Sequence, residues 1–101
     1  MSNRARSPGT KRRHRDVVQD IAEDYFSRGY KVKADHIDRF SKPQSYHGRV
    51  PDVVAINNGH KTLVEVETED SVDTERAKKQ LARFRSWASK KSYRHFRREV
   101  V

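Results

Sequence analysis

Two β-branched runs joined by a short turn constrain the fold of this chain more than any other feature of its sequence. The runs occupy residues 49–56 and 61–66, and residues 57–60 between them read Asn-Asn-Gly-His. Asn-Gly favours the tight turns that connect antiparallel strands. The sequence therefore predicts a β-hairpin. A two-residue and a four-residue turn give it the same register, in which Ile56 pairs with Lys61.

This register brings two carboxylates together. Asp52 lies directly opposite Glu65, with Cβ atoms about 5 Å apart, and Glu67 falls on the same face because side chains alternate along a strand. Like charges at that distance repel by about 3 kcal/mol at an effective dielectric constant of about 20. A divalent cation, a shifted pKa or a nearby basic side chain would compensate. Alternatively, the acids lie at the solvated end of the hairpin, or pair with Arg49 and Lys61.

A metal ion is the compensation that would support catalysis. Mg²⁺ accepts one or two carboxylates and retains several waters, which suits a phosphate ligand. Hydrolysis of a phosphodiester needs an activated water and a polarised phosphate, both of which a bound metal supplies. The spacing of Asp52 and Glu65 therefore makes them candidate metal ligands.

Apolar periodicity predicts a helix on each side of the hairpin. The first covers residues 14–28, and the second covers residues 73–90. The apolar faces consist of Val18, Ile21, Ala22 and Tyr25 in the first helix, and of Ala77, Leu81, Phe84 and Ala88 in the second. Gly29 is suited to end the first helix. Asp24 lies at the margin of its apolar stripe, with Asp20 just beyond, so either is a candidate for an acid contributed from this helix.

The remaining segments complete an α/β fold class. Residues 30–37 alternate weakly and predict an edge strand, and residues 38–48 predict a loop. Residues 91–101 are compatible with a short final strand or with a fraying tail. The predicted order of elements is therefore α-β-β-β-α, with a last strand left open.

The charge of the chain is arranged in blocks. The 101 residues carry a net charge of +9, made of +6 over residues 1–15, −5 over 16–73 and +8 over 74–101. The length supports one domain, which we assign to residues 14–101. Residues 1–13 are basic, without apolar periodicity, and predict a disordered tail. The absence of cysteine excludes disulfides and thiolate metal sites.

The basic ends predict contact with nucleic acid, because Lys and Arg displace the counterions of a phosphate backbone. The candidate nucleic-acid-binding residues are Arg12, Arg13, Arg49, Lys78, Arg83 and Arg85. No apolar run has the length of a membrane span or of a signal sequence, so we expect no membrane contact and a cytoplasmic location. The few apolar residues predict a thin core, which a homodimer would complete.

The residues of the hairpin resemble a known family. Arg49-Val-Pro-Asp52, the turn, and then Leu63-Val-Glu65-Val-Glu67 are similar to the motif of the PD-(D/E)XK nuclease superfamily, and the resemblance covers residues 14–90. It implies a restriction endonuclease-like α-β-β-β-α-β core, with a small mixed sheet flanked by helices. It also implies an endonuclease or resolvase that hydrolyses DNA with Mg²⁺ or Mn²⁺. Asp52 and Glu65 would be the metal ligands, completed by Asp24 (or Asp20) from the first helix.

One position departs from the family pattern. The lysine of the motif falls on Glu67, which would then act as a further ligand or as a general base. Lys78 on the second helix is a candidate to supply the missing cation. Gln80 with Phe84 is similar to a Gln and an aromatic residue that follow the motif in some branches of the family. The catalytic residues expected are therefore Asp52, Glu65 and Glu67.

Two other functions remain open from the sequence. One is a catalytically inactive nucleic-acid-binding module on the same fold. The other is a protein-interaction subunit whose basic tail binds an acidic partner. The cluster of three acids favours the nuclease, because a surface that only binds phosphate has no use for them.

Overall fold

The computed structural model describes residues 8–101, with side chains from Arg13 onward. The predicted order α-β-β-β-α is confirmed, and a last strand follows it. The elements are α1 (Pro8–Ser27), β1 (Lys31–Ala34), β2 (Val53–Asn57), β3 (His60–Glu67), α2 (Glu75–Ser89) and β4 (Arg94–Val100).

The described strands form one mixed sheet in the order β1-β2-β3-β4. β1 pairs with β2 and β2 with β3 in antiparallel fashion, whereas β4 runs parallel to β3. The parallel pair requires a crossover connection, which α2 provides. Residues 91–101, which the sequence allowed to be either a strand or a fraying tail, thus contain the strand β4, and β4 forms one edge of the sheet.

The predicted hairpin is confirmed in position and register. Asn57 pairs with His60 and Val53 pairs with Val64. Asn58 and Gly59 have φ angles of 52° and 80°. A two-residue turn with positive φ at both positions matches the right-handed twist of the strands it joins, which is why Asn-Gly is favoured there.

α1 covers one face of the sheet. Its predicted apolar stripe is buried against alternate residues of β2 and β3. The stripe consists of Val18, Ile21, Ala22 and Tyr25, and the strand residues are Val53, Ala55, Val64 and Val66. After the helix, Gly29 adopts a φ of 89°, which a residue without Cβ accommodates at no steric cost.

α2 covers the opposite face. Phe84 and Trp87 are buried against Tyr46, Val54 and Leu63. The helix begins after Thr74, whose side chain accepts a hydrogen bond from the backbone N–H of Ala77. Because side chains alternate along β3, the residues that follow Leu63 by two and by four positions, Glu65 and Glu67, also face α2.

The first helix starts earlier than predicted. α1 begins at Pro8 rather than at residue 14, so it includes residues 8–13 of the predicted basic tail; residues 1–7 lie outside the described part of the chain. Proline is favoured in the first turn of a helix, and the Lys and Arg residues that follow are good helix formers. Helical propensity thus extends the helix beyond its apolar stripe.

The first strand is shorter than predicted. It ends at Ala34 rather than continuing to residue 37, and His36 adopts a φ of 60° in the turn that follows.

Neither described helix is long and apolar enough to cross a membrane.

Candidate active site

Asp52 lies one residue before β2 and is fixed from two directions. Its backbone N–H donates to the carbonyl of Val64 at 3.1 Å. Val64 is also the register partner of Val53, so the regular pairing of β2 with β3 ends here. The Oδ2 atom of Asp52 accepts a hydrogen bond from the backbone N–H of Val66 at 2.8 Å. His14 Nε2 of α1 lies 3.3 Å from the same oxygen. The carboxylate is therefore held between the first helix and the third strand.

Glu65 is the most perturbed acid of the site. The residue is 6% exposed. Its Oε2 accepts a hydrogen bond from Gln80 Nε2 of α2, whereas its Oε1 is buried without a hydrogen-bond partner. Burial, followed by the negative charges of Asp52 and Glu67, raises the pKa of Glu65 from 4.5 to about 10. This carboxyl is therefore neutral at pH 7 when no cation is bound.

Glu67 is also buried, at 5% exposure. Its Oε1 accepts a hydrogen bond from Ser71 Oγ at 2.8 Å. Its carbonyl accepts one from the backbone N–H of Val101 at 2.9 Å, so the end of β3 is joined to the residue after β4. The predicted group of Asp52, Glu65 and Glu67 thus comes together, as the effect of its charges on the pKa of Glu65 shows.

Two basic residues share a cavity with these acids. The cavity has a volume of about 140 Å³. It is lined by Glu65, Glu67, Val72, Asp73, Ala77, Lys78, Leu81 and Arg98. Lys78, the candidate for the missing cation, therefore lines the same cavity as Glu65 and Glu67. Arg98 was missed as a site residue, because its position depends on β4, which the sequence left open; in the parallel register it lies opposite Glu65.

Asp24 is not part of this site. Its side chain is 61% exposed and forms an ion pair of 2.9 Å with Arg28. The prediction that it completes the metal ligands is therefore corrected, and Asp20 is likewise exposed. The N-terminal half of α1 is the part that reaches the acids, through His14. Ten residues of helix, or about 15 Å, separate His14 from Asp24.

Asp35 is a second residue that sequence reasoning missed. It follows β1 directly, and its backbone N–H donates to the carbonyl of Asp52 at 2.9 Å. Its Oδ1 is buried and has no hydrogen-bond partner. The alternating pattern of residues 31–34 was a weak signal for this strand, but the long loop before β2 left its register undefined.

The predicted nucleic-acid-binding residues are distributed over several elements. Arg13, Lys78, Arg83 and Arg85 are exposed, Arg49 is half-buried, and the side chain of Arg12 lies outside the described part. Arg83 Nη1 donates to the carbonyl of His47 at 3.0 Å, which joins α2 to the loop before β2.

An open basic groove of about 590 Å³ runs between α2 and β4. It is lined by Arg85, Ala88, Ser89, Arg94, His95, Phe96 and Arg98. Arg98 borders both this groove and the carboxylate cavity, so the two are adjacent. The lining of the groove contains three arginines, one histidine and no acid.

The acids offer a pair of ligands for a divalent cation rather than a preformed cage. Among the side chains that the structure describes, no group of three or more His, Asp or Glu is arranged to hold a metal ion. Mg²⁺ requires only one or two carboxylates, because water completes its coordination. Asp52 with the unpartnered Oε1 of Glu65 fits this requirement.

Comparisons of the chain with protein-family models, with curated proteins and with solved structures found no match.

Proposed function

We propose that this chain is a metal-dependent endonuclease, a hydrolase of DNA phosphodiester bonds with a restriction endonuclease-like fold of the PD-(D/E)XK type. The observation that carries the proposal is the burial of Glu65 beside two further acids, Asp52 and Glu67, whose charges act with burial to raise its pKa to about 10. Neighbouring carboxyl groups in such a place need a proton, a basic side chain or a cation to compensate their charges. A divalent cation would provide this compensation.

The fold supports the family assignment through its order and its pairing. The α-β-β-β-α-β sequence of elements and the mixed four-stranded sheet agree with the core that the motif implies. Asp52 immediately precedes β2 and Glu65 lies within β3, and these two strands are paired, which agrees with the motif.

Asp52 and Glu65 would hold Mg²⁺ or Mn²⁺. A bound divalent cation polarises a phosphate oxygen and lowers the pKa of a coordinated water. Asp52 is oriented for this role by the N–H of Val66 and by His14. The hydrogen bond from Gln80 keeps Glu65 on the α2 side of the sheet.

Basic side chains from α2 and β4 take the place of the missing lysine of the motif. Lys78 of α2 and Arg98 of β4 line the cavity that contains Glu65 and Glu67. Positive side chains at this position stabilise the charge that develops on a phosphate during hydrolysis. Glu67, held by Ser71, serves as a ligand or as a general base for the attacking water.

The substrate would lie along the basic groove between α2 and β4. Arg98 connects the groove to the carboxylate cavity, so a phosphate backbone in the groove passes directly beside the acids. We further propose that the protein acts on DNA in the cytoplasm, and that a homodimer cleaves both strands of a duplex. Light scattering of the purified chain tests the dimer.

A cleavage assay tests the proposed function. Single-stranded, duplex and branched DNA and RNA are incubated with the full chain in Mg²⁺, Mn²⁺ or EDTA. Asp52→Asn is assayed in parallel, with Asp38→Asn as a matched control on an exposed loop residue. We expect metal-dependent cleavage of DNA that is abolished in Asp52→Asn and unchanged in Asp38→Asn, with DNA binding retained in both. Equal cleavage by Asp52→Asn would exclude the assigned site.

A catalytically inactive DNA-binding module is the second candidate. The Gln80–Glu65 hydrogen bond favours it, because a neutral Glu65 held by an amide is stable without a cation. This candidate predicts salt-dependent DNA binding with no cleavage under any metal.

A further inference from the structure

Two neighbouring side chains of α2 join this helix to the two segments that carry the acids of the site. Gln80 and Arg83 lie three positions apart, and residues at this spacing are neighbours on the surface of a helix. Gln80 Nε2 donates to Glu65 Oε2 on β3. Arg83 Nη1 donates to the carbonyl of His47 at 3.0 Å. One side of α2 thus contacts both the strand that carries Glu65 and the loop that leads to Asp52.

The contact of Arg83 with this loop is made at a tight turn. Tyr46 and Arg49 exchange two backbone hydrogen bonds, of 2.7 and 3.1 Å, across the turn. Between them, His47 and Gly48 have φ angles of 51° and 82°. The guanidinium lies against the second of these residues, because a Cβ added to Gly48 would be 3.6 Å from Arg83 Nη1. Arg83 therefore covers the tip of the turn.

The turn is attached to α2 at a second point. The ring of Tyr46 is buried and meets the ring of Trp87 edge-on, with the ring centroids 5.2 Å apart. Arg83 and Trp87 are four positions apart, so they lie on the same side of the helix. Tyr46 thus fixes the start of the turn, and Arg83 fixes its tip.

The chain between this turn and Asp52 lacks the support of a strand. The two residues that separate them belong to no strand, and the regular pairing of β2 with β3 begins only at Val53. One of the two is Pro51, which is buried and has no backbone N–H to donate. The carboxylate of Asp52 nevertheless accepts a hydrogen bond of 2.8 Å from the N–H of Val66. A displaced turn would therefore displace this carboxylate.

We propose that Arg83 is a positioning residue: it holds the turn before β2 so that Asp52 is presented to the cation site, in place of the phosphate contact that its charge alone indicates. This inference rests on the proposed function, because it concerns the placement of Asp52. It separates Arg83 from Arg85, which carries the same charge on the same helix but lines the basic groove.

Amide resonances of the full chain in EDTA test this role without DNA, metal or turnover. The N–H of Val66 reports on the Asp52 carboxylate that it contacts, and the N–H of Arg49 reports on the turn. In Arg83→Ala we expect both resonances to shift and the Arg49 amide to exchange faster with solvent. Lys79→Ala removes the same charge from an exposed position of α2 and should change neither. Thermal unfolding confirms that both variants are folded.

Binding measurements separate positioning from phosphate contact. Loss of one phosphate contact lowers the slope of log K for DNA against log salt by about 0.9. We expect this change in Arg85→Ala and an unchanged slope in Arg83→Ala. The Mn²⁺ affinity, measured by isothermal titration, should show the reverse order. It should fall about tenfold in Arg83→Ala, the lower end of the effect of partners that orient a metal ligand, and stay unchanged in Arg85→Ala.

The outcomes also separate this inference from the proposed function. A reduced salt slope in Arg83→Ala, an undiminished Mn²⁺ affinity, or resonances of Val66 and Arg49 that do not move would overturn the role of Arg83 even if the protein cleaves DNA. Shifts of both resonances in Arg83→Ala and not in Lys79→Ala support it even if no metal binds and no DNA is cleaved. In that case the nuclease proposal alone fails.

Discussion

Gln80 Nε2 on α2 donates a hydrogen bond to Glu65 Oε2 on β3, while the other oxygen of the same carboxyl is buried without a partner. One half of this acid is thus satisfied by the protein and the other half is not. The helix that covers this face of the sheet therefore also orients the central acid of the candidate site.

The metal-free protein should lose stability as the pH rises. The pKa of Glu65 is raised from 4.5 to about 10, so between these values the folded chain holds a proton that the unfolded chain has released. Stability is then highest below the lower value and falls by about 1.4 kcal/mol per pH unit towards the upper one. Glu65→Gln should remove this part of the slope. Urea unfolding in EDTA across this range measures it, and Glu69→Gln, at an exposed position, is the control. An identical pH slope in Glu65→Gln and the unmodified chain would contradict the raised pKa.

Binding of Mn²⁺ should release a proton. A carboxyl must be ionised to ligate a metal, and Glu65 is protonated in the neutral range. The apparent affinity should therefore increase by up to about tenfold per pH unit below the pKa of Glu65. Titrations in buffers of different ionisation enthalpy count the protons released. Glu65→Gln should release none, and equal release from both proteins would show that the proton comes from another group.

Substitution of His14 should reduce cleavage without weakening DNA binding. His14 Nε2 contacts the Asp52 carboxylate, and partners that orient a ligand typically contribute about 10–100-fold to metal affinity or activity. We therefore expect His14→Ala to slow single-turnover cleavage by about that factor. His47→Asn is the control, because His47 is exposed and its φ of 51° suits Asn. Full activity of His14→Ala would show that α1 does not contribute to the site.

Arg98 should contribute more to DNA binding than its neighbour of equal charge. Arg98 borders both the cavity and the groove, whereas Arg97 donates to the hydroxyl of Tyr25 on the α1 side of the sheet. Loss of one phosphate contact lowers the slope of log K against log salt by about 0.9. Fluorescence anisotropy at several salt concentrations should show this change in Arg98→Ala and not in Arg97→Ala. The reverse order would assign the DNA to the opposite face.

Local chemistry explains which parts of the fold were predictable. Asn58 and Gly59 determine the turn, and the alternation of residues on both sides determines the register from Asn57–His60 to Val53–Val64. The proximity of Asp52 to Glu65 was predictable from this register, although regular pairing ends one residue before Asp52 is reached. The stripe of α1 was predictable for the same reason, because a helical period needs no knowledge of the partner.

Long-range geometry explains what was missed. The register that brings Asp35 beside Asp52 depends on how the chain returns from residue 38 to residue 49, through a bridge between Tyr46 and Arg49 that no periodicity indicates. The choice of His14 over Asp24 depends on how α1 lies across the sheet. β4 is mostly charged, with Phe96 and Val100 as its apolar residues, which suits an edge strand, but the same composition fits a solvated tail.

The parallel pairing of β4 with β3 also determines when the site is completed. One wall of the carboxylate cavity is Arg98, which reaches Glu65 only after the crossover through α2. Pairings between strands distant in sequence form slowly, because loop closure precedes them. The hairpin that carries Glu65 closes over a two-residue turn, whereas the wall supplied by Arg98 requires β4 to dock beside β3. We therefore expect the carboxylate cavity to be completed after the hairpin has formed.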